Sequence, residues 1–241
     1  MRYDGREAND ELRQIKIIRD YLKYPQGSVL IEFGDTKVIC TAMVEEKVPP
    51  FLKGSGQGWV SAQYAMLPAA NATRKQRDID KLKLDSRSAE IQRLIGRSLR
   101  AAVDLKALGE RTVWIDCDVI QADGGTRVAS ITGSFIALYD AVGTLLAEKH
   151  LRKDPMIHFV AAVSVGIVDD ELLLDLCYHE DSRAQADMNV VMTDAGEFVE
   201  LQATGEGRTV TPGEMSALME MAAKGIGEII RIQKETVGYK K

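Results

Sequence analysis

The order of the predicted secondary-structure elements constrains the fold most strongly, because one order occurs twice along the chain. Alternating and apolar runs predict strands at 28–34, 36–44, 59–67 and 112–120, with helices over roughly 85–108 and 127–150. The second half is predicted to have strands at 158–168, 171–177, 187–193 and 197–203, and then a closing helix. Each half therefore reads as a hairpin, a further strand and a helix. This pattern predicts an α+β fold of duplicated βαβ-like units in one compact body, with halves of about 1–152 and 153–241.

The closing helix has the clearest start signal in the chain. Thr211 is suited to cap the helix, Pro212 fits its first position, and Glu214 stands three residues after the cap. Met215, Leu218, Ala222, Ile226 and Ile229 then recur at helical spacing and form the predicted buried stripe.

Composition excludes several classes of protein. No run of 18 apolar residues is present, which disfavours a membrane-spanning helix. The segment MRYDGREANDELRQ is charged throughout and lacks the apolar centre of a signal peptide, so a cytoplasmic location is expected. The cysteines and histidines show neither disulfide-framework nor zinc-ligand spacing and are assigned structural roles. They are Cys40, Cys117, Cys177, His150, His158 and His179.

Charge is distributed unevenly along the chain. The net charge is −5, yet residues 74–100 contain nine Lys or Arg and four Asp or Glu. A basic patch on an acidic protein is typical of a local polyanion-binding surface. A solvated helix face explains the same charges equally simply, so both interpretations stay open.

The arginines of the first predicted helix fall on two faces. Arg93, Arg97 and Arg100 lie within about 40° of one another, opposite the apolar stripe, and are expected to be exposed. Arg87 lies about 120° away, at the edge of the buried face. A cation in the first turn opposes the helix dipole unless an anion is bound there. Either a bound anion or an internal salt bridge would explain Arg87.

The segment Asp123-Gly124-Gly125-Thr126-Arg127 stands between a predicted strand and a predicted helix. Two glycines allow a sharp turn, and the helix N-terminus supplies N–H donors beside a hydroxyl and a guanidinium. Phosphate is the natural ligand for such a set. The pattern is neither a Walker loop nor GxGxxG.

Two carboxylates flank a short irregular stretch in the second half. Asp187 opens a strand and shares one face with Asn189, while Asp181 precedes it. The pair is suited to hold Mg²⁺ or to act as a general acid, although loop carboxylates are often only hydrated. Asp116 and Asp118 form a second same-face pair, to which we assign a structural role.

Several motifs together resemble the ribonuclease PH family over nearly the whole chain. They are Asp4-Gly5-Arg6, SGQGWVSAQYAMLP (55–68), SRSAEIQRLIGRSLRAAVDL (86–105), WIDCDVIQADGGTR (114–127) and CYHEDSRAQADMNVVMT (177–193). The resemblance implies a duplicated fold of the ribosomal protein S5 domain 2 type and a hexameric ring. It also implies phosphorolytic 3′→5′ exoribonuclease activity on tRNA precursors and other RNA, with release of nucleoside diphosphates and a reverse nucleotidyltransferase reaction.

The same resemblance implies roles for individual residues. Phosphate binding falls on Arg87 and on Gly125-Thr126-Arg127, and the paired catalytic and Mg²⁺-binding aspartates fall on Asp181 and Asp187. Four positions depart from the family pattern. Gln57 and Ala69 replace arginines, Ala65 replaces glycine, and His179 replaces an acidic residue.

The polar loop TRKQRD provides a further prediction. Arg74 and Arg77 are expected to grip RNA, or else only to keep the loop soluble. Two other functions stay open at this stage: an RNA-binding ring subunit without activity, and a metal-dependent hydrolase that uses water. Either would be distinguished from phosphorolysis by the phosphate requirement of RNA trimming.

Overall fold

A computed structural model describes residues 1–77 and 85–239, which form two β-sheets and five α-helices. The strands are β1 (Ile15–Arg19), β2 (Gly27–Phe33), β3 (Thr36–Glu45), β4 (Trp59–Met66), β5 (Thr112–Gln121), β6 (Val160–Val168), β7 (Glu171–Leu174), β8 (Ala186–Thr193) and β9 (Phe198–Gly205). The helices are α1 (Ser86–Arg100), α2 (Leu105–Leu108), α3 (Thr126–Ala147), α4 (Tyr178–Asp181) and α5 (Pro212–Thr236). The predicted α+β class and the single compact body are confirmed.

The first sheet has the strand order β1-β2-β3-β5-β4. β2 and β3 form the predicted hairpin, in which Phe33 pairs with Thr36. Gly34 turns the chain there with a φ of 54°, a left-handed conformation that glycine adopts without steric cost. β4 pairs with β5 in parallel, because α1 and α2 carry the chain across between them.

The second sheet is antiparallel throughout and has the order β7-β6-β8-β9. Asp169 and Asp170 join β6 to β7, and both have positive φ, of 50° and 62°. Two left-handed residues make the type I′ turn that matches strand twist, and aspartate tolerates this conformation better than most residues. β6 is buried along its whole length because α3 and α5 both pack on it.

Helix α3 lies at the centre of the core and joins the two sheets. It packs against β2, β3 and β6, so most of its surface is covered. Gly133 is required for close approach, since a Cβ there would lie 2.7 Å from Ile31 Cγ2 and 2.9 Å from Cys40 Sγ. Its length and hydropathy would also suit a membrane span. However, 78% of the most apolar 18-residue stretch of α3 is buried inside the protein, as in the core helix of a globular domain.

The cap predicted for the closing helix is confirmed. The Thr211 side chain accepts a hydrogen bond from the Glu214 backbone N–H, and the Glu214 carboxylate accepts one from the Thr211 N–H. Arg208 adds a bidentate contact to the same carboxylate, at 2.7 and 3.1 Å. These contacts together lower the pKa of Glu214 to about 2.

The helix predicted over 85–108 is wrong in its extent, because the chain forms two helices there. α1 ends at Arg100, and Asp104 caps a new short helix by accepting hydrogen bonds from the N–H groups of Lys106 and Ala107. Between them, Val103 forms an isolated bridge with Met156, which ties the break to the second half of the chain.

Other elements also differ from prediction. β7 ends at Leu174 rather than 177, because Asp175 adopts a φ of 55° and cannot continue the strand. α3 ends at Ala147, two residues before left-handed Lys149. β1 was not predicted, although it pairs along its full length with β2.

Candidate active site

A cleft of ≈ 230 Å³ opens where the N-terminal ends of α1 and α3 face α4 and β8. It brings together every residue predicted for phosphate binding and both predicted catalytic aspartates, which are far apart in sequence. The lining residues are Arg87, Gly125, Thr126, Arg127, Ser164, Asp181, Ser182, Asp187, Asn189 and Glu206.

The two glycines of the Asp123–Arg127 segment fold the start of α3 tightly against α4. Gly124 and Gly125 both have positive φ, of 78° and 65°. A Cβ on Gly124 would lie 2.7 Å from the backbone of Leu176, Cys177 and Tyr178. Only glycine therefore allows this approach. The turn points the open N-terminal end of α3 into the cleft, where the first N–H groups of a helix have no partner within the helix.

The hydroxyl of Thr126 is fixed from the side of the first sheet. Its Oγ1 lies 2.8 Å from Tyr64 Oη, and both side chains are buried. Burial raises the pKa of Tyr64, although Thr126, Arg87 and Arg127 partly offset that effect. Through Tyr64, β4 thus holds Thr126 of the predicted phosphate-binding segment in place.

Arg87 stands at the cleft with its side chain exposed. Among residues 1–77 and 85–239, no carboxylate lies within ion-pair distance of its guanidinium. The internal salt bridge that would have explained Arg87 is therefore not formed within the described residues. Its position agrees with an anion held at the first turn of α1.

Arg127 is held across the cleft by the second sheet. Its Nη1 donates to Gln202 Oε1 at 2.7 Å and lies 3.7 Å from Glu90 Oε1. Gln202 in turn donates to Glu90 at 3.3 Å. One arm of the guanidinium is thus engaged, and the remaining donors are available to a ligand.

Three carboxylates, of Asp181, Asp187 and Glu206, also line the cleft. Burial raises the pKa of both Asp181 and Asp187. Asp181 and Glu206 raise the pKa of Asp187 further, whereas Arg87 and Arg127 pull that of Asp181 back down. Asn189 lies on the same face as predicted, 3.5 Å from the Asp187 carboxylate. The cleft therefore brings carboxylates within electrostatic reach of Arg87 and Arg127.

Glu206, Ser164 and Ser182 also line this cleft and were not predicted from the sequence. Glu206 follows β9 between two glycines, in Gly205-Glu206-Gly207, and this flanking was the only local signal. The serines carry no signal of their own. Their position depends on how β6 and α4 meet the start of α3.

Two buried arginines, Arg2 and Arg6, hold the segment that leads into α4. Apart from the Asp4-Gly5-Arg6 motif, this cluster was not predicted from the sequence. Arg2 binds the Glu180 carboxylate with two hydrogen bonds, of 2.9 and 2.7 Å. Arg6 donates to the Leu174 and Asp175 carbonyl oxygens. The N-terminal segment thereby holds α4, the helix that carries Asp181.

The remaining predicted residues lie outside the cleft. Arg74 and Arg77 are exposed on the loop after β4, and Lys75 between them forms an ion pair with Asp85 at 3.0 Å. His179 stacks on Tyr3 with ring centroids 4.0 Å apart, beside the cleft rather than in it. Gln57, Ala65 and Ala69 are not among the residues that line the cleft.

Asp116 and Asp118 face a different depression, of ≈ 800 Å³, on the outer side of the first sheet. Burial raises the pKa of both, and the Asp118 charge adds to the effect on Asp116. Neither residue lines the cleft, which agrees with the structural role predicted for them from the sequence.

The fold resembles that of solved exosome proteins. Rice (Oryza sativa) Rrp46 matches with a TM-score of 0.79 and 17% identity, over 98% of this chain and 100% of that one. The Archaeoglobus fulgidus exosome with RNA bound to the active site matches with a TM-score of 0.80 and 21% identity, over 95% and 91%. An archaeal exosome core matches with a TM-score of 0.74 and 22% identity, over 97% of this chain and 91% of that one.

Sequence comparison with family models covers most of the chain. Residues 11–142 match domain 1 of the 3′ exoribonuclease family of the ribonuclease PH type, and residues 158–225 match domain 2. These matches include all the residues that line the cleft. The chain therefore belongs to the 3′ exoribonuclease family of the ribonuclease PH type.

Proposed function

We propose that this protein is a phosphorolytic 3′→5′ exoribonuclease, which removes the last nucleotide of RNA with inorganic phosphate and releases a nucleoside diphosphate. One observation carries the proposal. A single small cleft is lined by a cationic, N–H-rich wall and by carboxylates. Phosphate and the scissile phosphodiester are both anions, and they need such a wall to approach each other.

Inorganic phosphate would bind at the start of α3. The N–H groups at Gly125 and Thr126, the Thr126 hydroxyl and the guanidinium groups of Arg87 and Arg127 surround that end of the cleft. Arginine forks match tetrahedral oxyanions with paired hydrogen bonds. The two arginines come from different helices, so they would fix the orientation of the nucleophile as well as its charge.

Mg²⁺ would be held by Asp181 and Asp187. Hard carboxylate oxygens are the ligands that this ion prefers, and it commonly takes one or two of them together with water and substrate phosphate. Among the described residues, no group of three or more His, Cys, Asp or Glu side chains is placed to hold a metal ion, so the proposed site rests on two carboxylates alone. Burial raises the pKa of both aspartates, and the charges of Asp181 and Glu206 raise that of Asp187 further. A cation bound between the two carboxylates would favour their charged forms. When bound, Mg²⁺ would neutralise charge on the scissile phosphate.

The reaction then needs positioning and one proton. A phosphate oxygen attacks the phosphorus of the last phosphodiester, and the bond from that phosphorus to the 3′ oxygen of the preceding nucleotide breaks. A carboxyl group of the aspartate pair protonates the departing 3′ oxygen. The products are a nucleoside diphosphate and an RNA with one nucleotide fewer. A phosphoanhydride bond replaces the phosphodiester, so the reverse nucleotidyltransferase reaction is expected as well.

The substrate would be RNA with a free 3′ end, of which tRNA precursors are one class. We further propose a homohexameric ring in which Arg74 and Arg77 of each copy contact the body of a structured RNA. Exosome structures are assemblies of similar folds, and one of them has RNA bound at its active site. Six exposed basic loops in one ring would give avidity to contacts that are weak individually.

The test is the dependence of trimming on phosphate. RNA labelled at its 3′-terminal nucleotide is incubated with protein and Mg²⁺, with and without phosphate, and the released label is separated by charge. We expect nucleoside diphosphates that appear only when phosphate is present. Asp181→Asn is the control for a contaminating nuclease.

Each alternative function gives a different product pattern. Nucleoside monophosphates released without phosphate would identify a hydrolase and overturn the proposal. An RNA complex that releases no label in any condition would identify a binding subunit without activity.

A further inference from the structure

We propose that Phe51, Trp59 and Arg100 form a second RNA subsite, which stacks a nucleobase of the substrate several nucleotides upstream of the scissile bond. The inference rests on the proposed function, because it takes RNA as the ligand. The three side chains lie at the end of α1 opposite to the cleft. None of them lines that cleft.

The three side chains form an aromatic platform, of which Phe51 is the most exposed member. Phe51 is 69% exposed, on a single 3₁₀ turn that ends in a glycine-rich loop. Its ring meets Trp59 edge-on, with centroids 5.5 Å apart. A phenylalanine so exposed contributes nothing to the core, whereas aromatic rings presented to solvent are the usual stacking surfaces for unpaired bases.

Arg100 gives this platform a positive charge that lacks a counter-ion. Its guanidinium lies 4.2 Å from the Trp59 ring centroid, and Nη1 donates to the Val60 carbonyl at 2.9 Å. Within the described part of the chain it has no carboxylate partner, and both burial and neighbouring Arg97 lower its pKa. The sequence predicted a solvated arginine here. The observed half-buried cation, unpaired among these residues, would instead be favoured by a phosphodiester.

The distance from the cleft suits a short single strand. α1 runs for 13 residues between Arg87 in the cleft and Arg100 on the platform, or about 20 Å at 1.5 Å per residue. β4 runs alongside from Tyr64, at the cleft, to Trp59, about 17 Å at 3.3 Å per residue. A stacked strand advances roughly 3.4 Å per nucleotide, so the platform lies about five to six stacked nucleotides from the phosphate cradle.

The loop beside the platform is open enough for a nucleic-acid backbone to approach. A Cβ built on Gly54 or Gly56 would meet no atom within 4 Å. Three side chains are also too small a surface to hold a second protein, since stable protein interfaces bury about 1,000 Å² or more. Charge, ring faces and size together favour single-stranded RNA over a partner protein.

Trp59 fluorescence provides a readout that is independent of catalysis. In a Trp114→Phe background, Trp59 is the only tryptophan of the chain. Binding of a twelve-nucleotide RNA in the absence of phosphate should quench its emission. Phe51→Ala should weaken that binding by roughly five- to a hundredfold, the range for loss of one base–aromatic stack. Phe51→Trp, studied by RNA retention rather than fluorescence, should preserve it.

The matched control is Tyr24→Ala, which removes another exposed aromatic ring, from the depression on the outer face of the first sheet. It should leave binding of the twelve-nucleotide RNA unchanged. Equal binding by the wild type and Phe51→Ala, or an unquenched Trp59, would overturn the subsite. A change of oligomeric state in Phe51→Ala would overturn it too, in favour of a second copy as the occupant. Failure of phosphorolysis would not affect these binding measurements, so the two proposals fail separately.

Discussion

Arg13 and Asp175 form a forked ion pair in the interior, although 162 positions separate them in the sequence. Arg13 Nη2 lies 2.7 Å from Asp175 Oδ1, and Nε lies 3.0 Å from Oδ2. The same guanidinium donates through Nη1 to the Asp123 carbonyl oxygen at 2.7 Å. One side chain therefore connects the glycine turn of the phosphate-binding segment to the strand end that precedes α4. It thereby ties together two segments that precede residues of the cleft, Asp123 before Gly125 and Asp175 before α4.

We expect Arg13→Met to destabilise the protein by about 3–5 kcal/mol, because it leaves the fully buried Asp175 carboxylate with the longer 3.8 Å contact to Arg6 in place of the forked ion pair. Urea unfolding at neutral pH measures this loss. The matched control is Arg231→Met, which removes an exposed ion pair to Glu235 on α5 and should cost at most about 0.5 kcal/mol. Similar losses for the two variants would show that Arg13 is not the connection described above.

Arg127→Ala should raise the phosphate concentration needed for half-maximal trimming by roughly ten- to a hundredfold. A charge-assisted contact to a bound anion contributes about 1.5–3 kcal/mol, and the fold does not depend on this side chain, whose contacts are to Gln202 and Glu90 at the surface. Initial rates at a series of phosphate concentrations measure the shift. Arg93→Ala, an exposed arginine on α1 outside the cleft, is the control. An unchanged phosphate dependence in folded Arg127→Ala would remove Arg127 from the phosphate site.

Asp181→Asn and Asp187→Asn should each abolish most turnover while leaving RNA affinity nearly unchanged. Both substitutions keep the side-chain shape but remove a metal-binding charge and a source of protons at the leaving oxygen. Single-turnover trimming and RNA retention on a filter separate the two effects. Asp118→Asn removes a carboxylate whose pKa is also raised by burial, but from the outer face, and should trim normally. Wild-type rates in both cleft variants would contradict the roles proposed for this pair.

Glu214 should make the stability of the protein sensitive to acid. Its pKa is about 2 in the folded state, below its usual value of 4.5, because Arg208 and the Thr211 cap hold the carboxylate. A lowered folded-state pKa stabilises the fold above pH 4.5, and that contribution is lost as pH falls towards 2. Glu214→Gln should therefore be less stable than the wild type at neutral pH, with a difference that shrinks between pH 4.5 and 2. A stability difference between the two proteins that stays constant from pH 4.5 to 2 would count against the cap as the cause.

The distance along the chain between interacting residues decides what the sequence could predict. The Thr211 cap and the hairpin at Gly34 depend on neighbours a few positions away, so their residue types alone indicate the structure. The interruption between α1 and α2 was not predicted because it depends on a distant residue. Met156, in the second half of the chain, pairs with Val103 there. Asp175 likewise ends β7 in a conformation that only its distant arginine contacts explain.

The same reasoning applies to the cleft. Arg87, Thr126 and Asp187 carry chemistry that local patterns reveal, since each stands at a helix start or strand start. Glu206 and the serines join them only because β6, α4 and the end of β9 come together with the start of α3. Arg100 was predicted to be solvated because a helical wheel ignores the neighbouring strand, and Trp59 of β4 half-buries it.

The two arginines of the loop after β4 give the last prediction. Arg74 and Arg77 are exposed and stand outside the cleft, so they cannot act on the reacting bond directly. If they grip the body of a structured RNA, Arg74→Ala with Arg77→Ala should weaken binding of a tRNA precursor more than trimming of a short unstructured oligonucleotide. Filter binding and initial rates on the two substrates measure this contrast.

Salt provides the internal control for that double variant. Phosphate contacts are weakened by counterions, so the defect on the tRNA precursor should shrink as the salt concentration rises from about 50 to 200 mM. Lys75 is left unmutated in this variant because it forms an ion pair with Asp85. An equal loss on long and short substrates would place these arginines in the channel that leads to the cleft. Unchanged behaviour on both substrates would mean that they only solubilise the loop.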